Sequence, residues 1–177
     1  MIILMGPKHS GKTSAGKELA RRGVLPFVDL DALIEERCGK SPRDLYLEGP
    51  ELFRRKEAEA LEAVLNADAG GQSRRENGVL ALGGGIIDNP AAMKLLGRYR
   101  ADTVYLALSA ETAWGRIFRE ELPPFLAGEN PRERHRLLHQ RRAGAYRAFA
   151  ALSVEAEGKS PGVIAGEILS AGGSHEL

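Results

Sequence analysis

The sequence predicts a three-layer α/β/α fold around a central five-stranded parallel sheet, with residues 1–170 forming one domain. Three observations predict it. Five short apolar runs alternate with longer helix-forming segments. Strands separated by helices pair in parallel through right-handed crossovers, which places helices on both faces of the sheet. The glycine-rich and acidic turns fall just after the apolar runs, at the strand ends where such sheets bind ligands. A chain of 177 residues fits one domain, and a domain of that size buries roughly 70% of its unfolded surface without needing staples.

In chain order, residues 1–5 (MIILM) are the first strand, closed by Gly6-Pro7. Residues 12–22 favour helix, with Gly23 as a stop. Residues 26–29 read as the second strand, the neighbour expected to face the glycine-rich loop after the first. Helices follow over 31–37 and 51–66, the latter rich in Glu, Ala, Leu and Arg. A polar loop over 67–78 precedes the third strand at 79–82, which Gly83-Gly84-Gly85 ends. Asn89-Pro90 starts a helix to about Leu96, with proline at its tolerated first position. The fourth strand is 103–108, and Ser109 with Thr112 gives a cap signal for a helix to Phe118. Residues 120–131, with three prolines and a glycine, read as a loop. A basic helix over 132–150, a fifth strand at 152–155 and a closing helix from 161 to 169 complete the fold, leaving 171–177 as a flexible tail.

Composition excludes several function classes. Twenty-five Lys and Arg against 24 Asp and Glu give a net charge of +1, so no bulk electrostatic attraction to nucleic acid is expected. One cysteine, Cys38, makes neither an internal disulfide nor a multi-cysteine zinc site. The apolar start is only five residues long, and the run at 79–87 holds three glycines, so no signal peptide and no membrane span is expected. Cytoplasmic residence and a monomeric state follow as expectations.

The chemistry begins at Gly6-Pro7-Lys8-His9-Ser10-Gly11-Lys12-Thr13, a full match to G-x-x-x-x-G-K-[ST] between a strand and a helix. Glycines let backbone N–H groups curl around phosphate oxygens, and the helix N-terminus adds partial positive charge. Lys12 is assigned to the β- and γ-phosphates and the Thr13 hydroxyl to Mg²⁺; Ser14 follows in the first turn. Lys8 and His9 either add charge near phosphate or are ordinary solvated loop residues. The site is one for a nucleoside triphosphate.

Asp29-Leu30-Asp31 closes the second strand. Asp29 suits Mg²⁺ held through water. Asp31 suits an attacking hydroxyl, accepting its proton or holding it in line with the γ-phosphate. In isolation Asp31 reads as a cap of the next helix; beside a complete phosphate loop the catalytic reading is favoured.

Here the sequence resembles the shikimate kinase family, small relatives of the nucleoside monophosphate kinases. The matching residues run from end to end: the phosphate loop, Asp29-Leu30-Asp31 with Ile34-Glu35, Gly49-Pro50-Glu51-Leu52-Phe53-Arg54-Arg55-Lys56-Glu57, Leu82-Gly83-Gly84-Gly85, and Arg141-Arg142-Ala143-Gly144-Ala145-Tyr146. The resemblance implies a P-loop kinase fold and transfer of the γ-phosphate of MgATP to the 3-hydroxyl of shikimate, in aromatic amino-acid biosynthesis. It implies that Asp31 engages that hydroxyl, that Arg54 and Arg142 hold the acid's carboxylate, and that Gly83, Gly84 and Gly85 let backbone approach its ring. Tyr46, Phe53 and Glu57 match positions lining the acceptor pocket, on helices over about 31–66. Two guanidiniums on one carboxylate are chemically apt, because arginine makes planar bidentate bonds that lysine cannot copy. Read singly, Arg54 and Glu57 would make a surface ion pair, the glycines a tight turn, and Arg142 one solvated arginine among several.

One stretch departs from the family. Its lid carries an arginine before a Pro-Leu-Leu-like run; here the stretch, within a lid of about 111–131, is Glu121-Leu122-Pro123-Pro124-Phe125-Leu126. Pro123 takes the arginine's place and supplies neither cation nor N–H. Arg119 is the candidate replacement catalytic cation, while Arg116 matches an arginine lying against adenine. The departure leaves open two other functions, a kinase for another small hydroxy-acid such as gluconate and a nucleotide-binding module with weakened chemistry. ATP, Mg²⁺ and a small anionic hydroxy-acid are the expected partners.

Overall fold

A computed structural model describes residues 1–66, 78–119 and 122–172. Most of the expected polar loop at 67–78, Glu120 and Glu121 in the lid, and residues 173–177 lie outside the described residues. In chain order the elements are β1 (Ile2–Met5), α1 (Lys12–Gly23), β2 (Phe27–Asp29), α2 (Leu30–Cys38), α3 (Pro42–Glu48) and α4 (Pro50–Asn66). There follow β3 (Val79–Ala81), α5 (Pro90–Leu96), β4 (Thr103–Ala107), α6 (Ala110–Ile117), α7 (Pro131–Phe149), β5 (Leu152–Glu155) and α8 (Pro161–Gly172). The strands form one sheet in the order β2-β3-β1-β4-β5, and every pairing is parallel.

Alternation along the strands divides the interior in two, because successive side chains point to opposite faces. Ile3, Met5, Leu80, Tyr105 and Ala107 face a layer containing Leu30, Ile34, Leu61, Ala92, Leu96 and Tyr146, from α2, α4, α5 and α7. Leu4, Val79, Val104, Leu106 and Val154 face Ala15 and Leu19 of α1 and Ile164, Ala165 and Ile168 of α8. This is the expected three-layer sandwich. Among the described residues no helix is long and apolar enough to cross a membrane.

Several expectations are corrected. The strand order, which the sequence leaves open, puts β3 between β1 and β2, while the end of β2 faces the phosphate loop as expected, Asp29 accepting from Thr13 Oγ1 at 2.6 Å. The short helix α3 was not expected, although Ser41 caps it by accepting from the Asp44 N–H at 3.1 Å and Pro42 opens it. Gly23 is not the left-handed stop; Val24 is, at φ 52°. Gly23 serves close approach instead, since a Cβ there would lie 2.9 Å from Leu25 Cγ. The loop over 120–131 contains a 3-10 turn at Pro124–Leu126, and Pro131 already belongs to α7. α8 runs to Gly172, two residues into the expected tail.

Candidate active site

The phosphate loop joins β1 to α1 in the backbone shape its glycines permit. Gly6 and Gly11 have positive φ, 146° and 91°, and a Cβ on Gly6 would meet the Leu106 carbonyl at 2.6 Å. His9 shares the left-handed region at φ 63°, and Ser10 is buried. Lys12 Nζ donates to the carbonyls of Gly6 and Pro7 at 3.0 and 2.8 Å, so the loop holds its own lysine. Burial lowers the Lys12 pKa to about 8, against the pull of Asp31 and then Asp29 toward the charged form.

Thr13 Oγ1 donates to Asp29 Oδ2 at 2.6 Å, bringing together the two residues expected at the metal. Asp29, not Asp31, caps α2: its Oδ1 accepts from the N–H groups of Asp31 and Ala32. Hydroxyl and carboxylate oxygens are the hard donors that Mg²⁺ takes, so this pair fits the ion. Lys8, His9, Gly11, Ser14, Arg116 and Arg119 join them around a cavity of about 680 Å³. Arg116 Nη1 also donates to the His9 carbonyl at 2.5 Å, tying α6 to the loop.

A second cavity of about 660 Å³ lies beside the first, lined by Tyr46, Phe53, Arg54, Glu57, Arg142 and the three glycines. Lys8, Asp31 and Gly84 line both. These three residues therefore stand at a border common to the two cavities. Burial raises the Asp31 carboxyl to about 6; Lys12 and Lys8 oppose this, and Asp29 and Glu57 reinforce it.

Each glycine of the turn after β3 touches a different partner. A Cβ at Gly83 would stand 2.8 Å from Asp31 Oδ1 and 3.1 Å from Glu57 Oε1. At Gly84 it would stand 2.7 Å from the Lys8 backbone nitrogen, and at Gly85 3.3 and 3.4 Å from the Nη2 atoms of Arg142 and Arg54. The turn is thus the surface against which Asp31, the phosphate loop and both guanidiniums pack. Arg54 Nη1 donates to Glu57 Oε2 and to the Gly85 carbonyl, both at 3.0 Å. With Glu57 fully buried, this is no surface ion pair. Arg142 is 14% exposed while its neighbour Arg141 is 61% exposed, so the structure singles it out among the arginines of α7.

Sequence reasoning missed several residues here. Asp88 accepts from Arg142 Nε at 2.8 Å and pairs with Arg141. Although burial alone would raise the Asp88 carboxyl, Arg142 and Arg141 hold it below the usual carboxylate range. Asn89 is buried and donates from Nδ2 to the Arg54 carbonyl at 2.7 Å and to Glu57 Oε2 at 2.9 Å. Arg43 Nη1 donates to the Leu122 carbonyl at 2.8 Å, linking α3 to the lid. Of the expected lid, which sequence reasoning did not miss, Pro123, Pro124 and Phe125 line the second cavity. A polar pair two residues beyond the glycine turn, after Ile86-Ile87, was the available signal for Asp88 and Asn89.

Known proteins resemble the chain over nearly its whole length. The family model for shikimate kinase matches residues 8–172. A shikimate kinase of Moorella thermoacetica is 36% identical over 171 residues, 96% of this chain and 92% of that protein. One from Mycobacterium tuberculosis is 34% identical over 169 residues, 95% and 90% of the two chains. Among solved structures, shikimate kinase from Acinetobacter baumannii in complex with shikimate superposes with a TM-score of 0.84 at 29% identity, covering 99% of this chain and 94% of the other. With fold, motif order and length all in agreement, the chain belongs to the shikimate kinase family.

Proposed function

We propose that the chain transfers the γ-phosphoryl group of MgATP to the 3-hydroxyl of shikimate, giving shikimate 3-phosphate and ADP. The observation that carries this reading is the shared boundary of the two cavities, where Lys8, Asp31 and Gly84 face both. The phosphate loop holds the triphosphate by backbone N–H groups, with Lys12 turning from its loop carbonyls toward the phosphates. Thr13 and Asp29 would hold Mg²⁺, which neutralises charge on the phosphate oxygens when bound. Arg54 and Arg142 grip the acceptor's carboxylate and thereby aim its hydroxyl at Asp31.

Asp31 accepts the hydroxyl proton as the acceptor oxygen bonds to the γ-phosphorus and the bond to the bridging oxygen of ADP breaks. Positioning and charge, rather than covalent chemistry by the protein, supply the rate. Arg119, on the wall of the nucleotide cavity, is the cation proposed to serve where Pro123 does not. Steady-state turnover with MgATP and shikimate tests the reading. Asp31→Asn should cut kcat by about a hundredfold or more while ATP still binds; undiminished turnover removes Asp31 from the mechanism.

A second reading keeps the kinase and changes the acceptor. It is favoured by one observation, that Pro123, Pro124 and Phe125 help to roof the acceptor cavity. ADP release measured with shikimate and with gluconate side by side separates the two. Nucleotide binding without turnover of either acid would instead identify a non-catalytic module.

A further inference from the structure

Asp88 ends the 3-10 turn Ile86–Asp88, and its N–H donates to the Gly85 carbonyl at 3.0 Å. Its carboxylate is thereby fixed one turn beyond the glycines, 17% exposed. Oδ2 accepts from Arg142 Nε at 2.8 Å and lies 2.7 Å from Nη2. Oδ1 lies 2.8 Å from Arg141 Nη2, which holds the carboxylate from its other side. Arg142 Nη1 donates to the Gly84 carbonyl at 3.3 Å, and the Phe125 ring covers the guanidinium, its centroid 5.4 Å from Cζ.

A guanidinium has five N–H donors in a rigid fork. Asp88 takes the Nε and Nη2 edge and Gly84 takes one Nη1 hydrogen. One hydrogen on Nη1 and one on Nη2 remain. Nη2 also lies 3.3 Å from where a Cβ on Gly85 would stand, and Arg54 Nη2 lies 3.4 Å from the same point. Arg54 is held in the same way, by Glu57 and the Gly85 carbonyl. Each arginine of the pair thus has one carboxylate that steers it.

We propose that Asp88 is the positioning residue of the acceptor site: it holds one edge of Arg142 so that the remaining Nη1 and Nη2 hydrogens meet the carboxylate of the acid. The inference rests on the acceptor reading above, and adds that the clamp needs a steering carboxylate as well as two cations. Asp88 does not touch the acid; it acts through Arg142.

The test compares KM for shikimate and for MgATP in wild type, Asp88→Ala, Asp88→Asn and the Asp88→Ala/Arg142→Ala pair, with thermal denaturation of each. Asp88→Ala should raise KM for shikimate about tenfold, the size of one weakened charge-assisted hydrogen bond, with KM for MgATP within about twofold. Asp88→Asn, which keeps an acceptor oxygen, should recover most of that loss. Adding Asp88→Ala to Arg142→Ala should change nothing further, because the two act as a unit. A KM for shikimate that stays level or falls in Asp88→Ala overturns the proposal, as does equal impairment of both substrates or additivity in the pair. Where Asp88→Ala fails to fold, Asp88→Ser carries the same comparison. Wild-type chain that neither binds nor turns over shikimate overturns the acceptor reading itself and the proposal with it, and that result is seen before any variant is made.

Discussion

At the scale of single residues, the proposed role of Asp31 links activity to stability at one position. Its folded pKa of about 6 stands above the ordinary 3.8, so between these values the folded chain binds more protons than the unfolded one. Stability therefore falls as pH rises through that window and stays lower above it. On the proposed mechanism turnover needs the ionised form and should fall as pH drops through the same region. Asp31→Asn should raise Tm above pH 6 relative to wild type, with the gap narrowing at pH 4–5, while turnover is lost. Thermal scans of both proteins at pH 4.5 and 8 check this; a gap that does not narrow at the lower pH would show that burial is not what shifts the carboxyl. Asp31 was legible in the sequence because it follows a strand beside a complete phosphate loop. Asp88 was not, since its value depends on where α7, more than fifty residues later, delivers Arg142.

Among elements, the lid and α3 act together. The turn Pro124–Leu126 carries Phe125 to 6.1 Å from the Tyr46 ring centroid and over Arg142. Arg43 of α3 holds the backbone at Leu122. An edge-on aromatic pair contributes about 0.5–1.5 kcal/mol and a cation over a ring about 0.5–2 kcal/mol. Phe125→Ala should accordingly raise KM for shikimate on the order of tenfold and leave KM for MgATP nearly unchanged. Initial-rate kinetics with each substrate varied in turn measure the split, and an equal rise in both would place the ring's influence on the nucleotide side. Neither element was fully legible beforehand. α3 is seven residues of mixed polarity, too short for helical periodicity to register, although its Ser-Pro start was a usable cap signal. The lid's prolines announced a break in regular structure but not the 3-10 turn that aims the ring.

For the whole molecule, the five parallel strands and their helical layers followed from alternation of apolar runs, which local composition records. Strand order did not follow. That β3 enters between β1 and β2 depends on long-range pairing, and the polar stretch before β3 holds no pattern that encodes it. The consequence is that the turns after β1, β2 and β3 lie side by side, which is how Thr13, Asp29 and Gly83 reach one site. Ligands bound there hold segments distant in sequence, so each should stabilise the fold as a whole. At a concentration one hundred times its Kd, either MgATP or shikimate should add about 2.7 kcal/mol. That corresponds to a rise in Tm of roughly 5–10 °C for a chain of this length. Scanning calorimetry with each compound alone provides the measurement; no shift with shikimate at saturating concentration would contradict a preformed acceptor cavity.

The three residues common to both cavities have a practical corollary for inhibitor chemistry. Because Lys8, Asp31 and Gly84 border both chambers, one compound with an adenylate-like head and a hydroxy-acid head is expected to reach both at once. Tethering makes the second docking event intramolecular, so such a compound gains affinity from linkage alone when its tether matches the span. The border at which the proposed phosphoryl transfer takes place would then be the handle by which the enzyme is blocked.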